Sequence, residues 1–436
     1  MMNPTRVLCV ATASALLCLS ASADPKPDLQ TLTKENAELR ERLERLEGEL
    51  AKIKAMLSER GAVPTTAALP AGKKPVVSGL DIEFYGYVKL DASHDSSPLS
   101  VGNYEKWVAS GSSPNVHDEF SMTANQTRLG LRIKGPESKT LQTAGLVEVD
   151  FYGGGAENKP NPMMRHAYLT AFWPDLRLQV LAGQTSDTFS PLTMPTLNYT
   201  VGWWQGDIGY RRPQLRLTET LKPSDKVELK LEAAAARTIT GRAFTGYATS
   251  GDTGQESGIP TFEGRASVGF PLLTDKPTVV GVSGHFGQER YTTNSRRFDS
   301  YSINADLTLP ITKWLALQAE AFYGLDLDSY LGGIGQGLNT TAWRAIHSQG
   351  GWVALTLTPL QEWQFNVGAG VDDPRDGDLA SAPTSMTYNS IIFGNAIYSF
   401  TANLSIGLEL SYLQTGYKTM SNGTDFREQL SLIYKF

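Results

Sequence analysis

The segment Asp425–Phe436 places Leu430, Leu432, Tyr434 and Phe436 on one face of an extended chain. Gln429, Ser431 and Lys435 fall on the other, with Ile433 the apolar exception. Side chains of a strand point alternately to opposite faces, so this is a strand with one apolar and one polar side. Similar strand patterns recur from Leu80 onward. Beyond the first residues, no apolar run reaches the ~18 residues a spanning helix needs, and mean hydropathy is −0.24. Such a chain either packs its apolar faces together in a sandwich or turns them outward as a closed barrel.

Turn spacing favours the barrel. Short turns are expected near Gly135–Lys139, Pro174–Asp175, Pro223–Asp225, Pro271–Lys276, Pro310–Thr312, Pro359–Gln361 and Thr401–Asn403. Long polar segments lie between them: Asp95–Asp118, Thr185–Tyr210, Gly241–Pro260, Asp326–Ser348 and Asp372–Met386. Short connections at one end and long ones at the other describe an up-and-down outer-membrane barrel. Seven short turns, with both barrel ends on the same side, give sixteen antiparallel strands, a size that leaves an aqueous channel. Phe172, Trp173, Phe270, Trp314, Trp363, Phe400 and Phe436 lie beside short turns or in the last strand, where an interfacial girdle belongs. A last strand ending on Phe436 looks like the closing strand of outer-membrane barrels, whose final Phe is an assembly signal. The net charge of −6 argues against nucleic acid as a partner.

Upstream the pattern changes. Residues 1–23 read as a signal peptide, with Arg6, the apolar run Val7–Leu19 and small residues before a cut after Ala23. A lipid-anchored alternative at Cys18 is disfavoured by the bulky Leu17 before it. Cys9 and Cys18 are the only cysteines, so no disulfide is expected in the mature chain. In residues 24–60, Leu29, Asn36, Leu43, Leu50 and Leu57 take heptad a positions and Leu32, Leu39, Leu46 and Ile53 take d. This predicts a coiled-coil helix whose heptads span about 42 Å. Glu35 with Arg40, Arg42 with Glu47 and Glu49 with Lys54 complement one another across parallel helices, and a trimer is expected. Residues 61–79, with Pro64, Pro70 and Pro75, form a Pro-rich linker. The expected fold class is thus all-β, a 16-stranded antiparallel outer-membrane β-barrel over 80–436 preceded by an N-terminal α-helical coiled coil.

Three stretches carry a likeness: Phe84–Ala92 (FYGYVKLDA), Ala124–Ile133 (ANQTRLGLRI) and Gly206–Arg216 (GDIGYRRPQLR). With the architecture of the whole chain, they resemble the DcaP-like trimeric porins of Gram-negative bacteria. The resemblance implies a homotrimer, a periplasmic coiled coil and uptake of small anions such as dicarboxylates. The expected partners are two further copies, joined through coiled coil and barrel walls, together with outer-membrane lipid and small anionic solutes.

Strand parity supplies the candidate site. Leu129, Leu131 and Ile133 facing lipid send Arg128 and Arg132 inward, and Pro213, Leu215 and Leu217 outward leave Arg212 and Arg216 inward. Arg177 is expected on an inner face with Gln179. Either Arg165 or His166 joins them, because adjacent strand residues point opposite ways. An Arg on the lipid face near the midplane costs ~2–4 kcal/mol. The six arginines would form an anion-favouring wall, with Glu148, Asp150 and Asp91 as the opposing acidic side, or they would brace the barrel by pairing. Thr185–Tyr210 either narrows the pore or packs between subunits. The five histidines show no metal-ligand spacing, and Gly332–Gly337 reads as a flexible loop rather than a phosphate loop. No cofactor or catalytic motif emerges. The function expected is a passive trimeric porin for small hydrophilic, anion-favoured solutes; a structural or adhesive envelope protein, with the coiled coil as tether or stalk, is the alternative.

Overall fold

The computed structural model describes residues 76–77, 80–100, 104–136, 138–154, 159–239, 253–291 and 296–436. Its strands are β1 (Leu80–Asp95), β2 (Glu119–Thr123 and Arg128–Lys134), β3 (Gln142–Asp150) and β4 (Met163–Trp173). Then come β5 (Leu178–Ser186), β6 (Arg211–Ser224), β7 (Val227–Ala236) and β8 (Thr261–Pro271). The next four are β9 (Pro277–Tyr291), β10 (Arg296–Pro310), β11 (Leu315–Leu325) and β12 (His347–Leu360). The last are β13 (Trp363–Pro374), β14 (Met386–Ser399), β15 (Leu404–Tyr417) and β16 (Gly423–Lys435).

Each strand pairs antiparallel with the next, and β1 pairs with β16 to close the ring. The two pieces of β2 both pair with β1, so they fill one of the sixteen wall positions. Val76–Val77 adds a short pairing to the start of β1. All seven expected short turns fall at strand junctions, although the sequence reading named no connection after β3, β9 or β15.

The pattern is inside-out. In β16, Leu430 and Leu432 are 48% and 45% exposed while Gln429 and Ser431 are 1% and 0% exposed. Lipid is the solvent for the first pair. Leu131, Leu215 and Leu217 are likewise exposed, which bears out the parity of β2 and β6. Trp314, Trp363, Phe400 and Phe436 are exposed near the short-turn end. Phe172 departs from the expected girdle: it lines a cavity inside the barrel with Lys134 and Gln179.

The coiled coil is corrected here. Thr253–Ser257 is the only α-helix among the described residues, so the fold class that those residues show is the barrel, without a coiled coil among them. Assembly through a coiled coil and a periplasmic helical domain are likewise not part of the described fold. The heptad segment within 24–60 lies outside the described residues, as do the signal segment 1–23 and most of the linker.

Closure depends on Gly86 and Phe436. Each donates its backbone N–H to the other's carbonyl at 3.1 Å, and the Phe436 ring stacks on Phe84 at 5.2 Å. A Cβ on Gly86 would lie 2.1 Å from the Arg128 carbonyl oxygen, so only glycine lets β1 pass there. Phe436→Ala removes the ring contact, about 1 kcal/mol. It should lower the amount of heat-modifiable protein in outer-membrane fractions several-fold; wild-type amounts would show that this contact does not guide closure.

Candidate functional site

The connection between β5 and β6, residues 187–210, folds into the barrel and is pinned to the wall around much of its circumference. Three wall glutamates hold it. Glu263 of β8 accepts from Thr188 N and Oγ1 at 2.7 and 3.1 Å. Glu320 of β11 accepts from Leu192 N at 2.9 Å and from Ser190 Oγ at 3.2 Å. Glu409 of β15 accepts from Leu197 N at 2.6 Å, Asn198 N at 3.3 Å and Asn198 Nδ2 at 3.2 Å. Asn395 and Asn389 of β14 donate to the carbonyls of Pro195 and Trp204 at 2.9 and 2.8 Å. At Gly206 (φ +116°) a Cβ would lie 2.2 Å from the Gly351 carbonyl oxygen, so the loop meets the wall backbone to backbone. A carboxylate accepting several N–H groups satisfies donors that an inward loop would otherwise bury unpaired.

The loop divides the lumen unequally. On β14 to β16 and β1, the inward Asn395, Glu409, Gln429 and Asp91 are all buried. On β2, Arg132 keeps 48% of its side chain exposed, and on β7 Lys230 keeps 40%. Water-accessible lumen therefore lies against β2 to β7, the wall on which parity placed the arginines.

Of the six expected arginines, five face inward and are held in different ways. Arg128 lies with its Nε 3.4 Å from Glu148. Arg132 lies over the Tyr85 ring at 3.7 Å and 3.4 Å from Glu83. Arg165 donates to Glu148 and Asp150, both at 2.8 Å. Arg216 reaches Glu232 at 3.8 Å and donates to Gln214 and the Ser186 carbonyl. Arg212 is fully buried, donating to Asp187 at 2.7 Å with its guanidinium 4.1 Å from the Tyr330 ring centre, so it braces the loop instead of meeting water. Arg177 is corrected: it sits exposed in the turn between β4 and β5 with φ +51°, because strand β5 begins only at Leu178.

Three further expectations fail for physical reasons. Arg165 and His166 both contact Glu148, His166 at 3.9 Å. A β-bulge between Glu148 and Val149 gives β4 an extra residue, which breaks strict alternation. Glu148 and Asp150 do not form an opposing acidic side; they pair with the arginines on the same wall, and Asp91 pairs with Lys89 at 3.1 Å. Gly332–Gly337 is not loose: Ile334 is fully buried and its N–H meets Asp372 at 3.3 Å.

Sequence reasoning missed Arg211. Its guanidinium lies 4.9 Å from the Tyr210 ring centre and 5.5 Å from that of Trp203. Parity hides it, since Arg212 takes the inward slot; its position where the loop joins β6 aims it back. Arg211, Arg128 and Arg165 line one cavity of about 290 Å³ with Tyr210 and Gln126. A separate acidic group, Glu289, Asp326 and Asp328, brings ligand atoms within 4.8 Å of one another at the long-loop end. There burial, then the neighbouring Glu289, pushes the Asp326 carboxyl well above its usual range.

No protein-family model and no curated protein matches the sequence. Solved structures do match, and they show the fold of outer-membrane porins. Among them is the outer membrane channel DcaP of Acinetobacter baumannii, 20% identical with a TM-score of 0.68, covering 84% of this chain and 100% of that one. An anion-selective porin from Comamonas acidovorans is 10% identical with a TM-score of 0.54, covering 82% and 100%. Salmonella typhi OmpF, in complex with daunomycin, is 12% identical with a TM-score of 0.54, covering 82% and 98%. The likeness read from Phe84–Ala92 and its companion stretches is thus borne out at the level of fold.

Glu409→Ala should release residues 197–198 from the wall at a cost of about 3 kcal/mol, since several N–H groups lose a charged acceptor. Single-channel recording should show larger and noisier conductance, and the unfolding midpoint should fall. A quiet channel of parental conductance would mean the loop holds without this clamp.

Proposed function

We propose that this barrel is a passive channel for small hydrophilic solutes that favours anions, with dicarboxylate-like molecules as its solute class. The observation that carries this reading is the uneven charge of the wall facing the open lumen. Around one cavity, Arg128 and Arg165 pair with Glu148 and Asp150, Asp207 receives the Ser190 hydroxyl, and Arg211 has the Tyr210 and Trp203 rings beside it instead of a carboxylate. On β6 to β10, Arg216, Lys230 and Arg265 share Glu232 and Asp306, a cluster with one cation in excess. The surplus is small because most guanidiniums are neutralised. Bias therefore comes from residual charge, each uncompensated cation worth about 1 kcal/mol to an ion at 4 Å in water.

Arg128→Gln, Arg132→Gln and Arg216→Gln combined should lower the anion-to-cation permeability ratio about tenfold, equivalent to 1.4 kcal/mol. Reversal potentials across a potassium chloride gradient measure it, with the effect largest at low salt, where screening is weak. Arg212 stays unaltered because its pairing with Asp187 holds the loop. An unchanged ratio at low salt would make these arginines braces only.

A further inference from the structure

Arg211 stands apart from the other inward arginines, and what it implies rests on the anion-channel reading above. Arg211 is 5% exposed, and its Nε and Nη2 are buried with no hydrogen-bond acceptor. Its neighbours are the Tyr210 and Trp203 rings, and no carboxylate among the described residues lies within ion-pair distance of it. A buried guanidinium normally has a carboxylate partner, because an unpaired buried charge costs several kcal/mol. Here two donors of a planar fork are left unused in the wall of a cavity of about 290 Å³. The Nε of Arg128 in the same cavity is also buried without a hydrogen bond, its nearest carboxylate oxygen 3.4 Å away. Arg165, by contrast, is saturated by Glu148 and Asp150. Asp207 shares the cavity wall but receives the Ser190 hydroxyl, which also donates to Glu320.

We infer that Arg211, with Arg128 beside it, forms an oxyanion-binding subsite that holds the carboxylate or other planar oxyanion of a solute as it passes the inward loop. The fork geometry of a guanidinium matches a carboxylate through two parallel N–H bonds, which chloride cannot reproduce. The Tyr210 and Trp203 rings fix the guanidinium in place, so little conformational freedom is lost on binding. Transport of carboxylates through this channel then passes through a bound state and saturates.

The test uses the full-length protein in planar bilayers with sodium acetate as probe and sodium chloride as reference. Wild-type conductance should level off with rising acetate while remaining closer to linear in chloride. Arg211→Gln should raise the half-saturating acetate concentration about tenfold. Arg211→Lys, which keeps the charge without the fork, should recover chloride behaviour better than acetate behaviour. Conductance linear in acetate for the wild-type channel overturns the subsite, and so does a half-saturating concentration unmoved by Arg211→Gln. If Arg211→Gln does not insert, the wild-type acetate curve decides alone. A wild-type channel with no anion preference in chloride gradients sinks the channel reading itself; anion preference with linear acetate conductance sinks only the subsite.

Discussion

Hydrocarbon offers no hydrogen bonds, so every backbone N–H and C=O of a chain crossing it must be paired within the protein. A sheet meets that demand only by closing, and here closure runs through the pairing of β1 with β16. Everything else about the barrel depends on that constraint. With the outer face given to lipid, every second side chain of each strand is forced into the lumen, whatever its polarity. Polar residues such as Gln429 and Ser431 of β16 are therefore buried while leucines beside them are exposed.

The inward face is then a scaffold for a second layer of structure. A loop of residues 187–210 carries its own unpaired backbone groups into the lumen, and the wall answers with Glu263, Glu320 and Glu409. Those carboxylates sit on strands far apart in sequence, and the loop connects them. Because they fasten the loop over one part of the wall, open lumen is left along β2 to β7. The loop thereby determines which wall a solute meets.

Charge on that wall is mostly spent on the protein itself. Arg165 ties Glu148 to Asp150, Arg212 ties Asp187, and Arg265 bridges Glu232 and Asp306. A count of inward arginines thus overstates the field in the pore. Arg211 matters because it is outside this bookkeeping: its charge faces aromatic rings and a cavity, not a carboxylate.

The alternation in Asp425–Phe436, the short turns and the parity of Leu129–Ile133 and Pro213–Leu217 determined the barrel, its sixteen strands and the inward arginines of β2 and β6. These are properties of period two and of turn chemistry, both local along the chain. Arg177 went astray at a strand boundary, where one residue decides between wall and turn. The joint inward placement of Arg165 and His166 required a bulge, which is a mismatch between two strands and is written in neither alone. The pairing of Glu148 with its own side of the wall, the capture of the loop by Glu409 and the cavity that Arg211 shares with Arg128 join residues tens to hundreds of positions apart. Such contacts exist only once the ring has closed, and so the tertiary structure alone decided them.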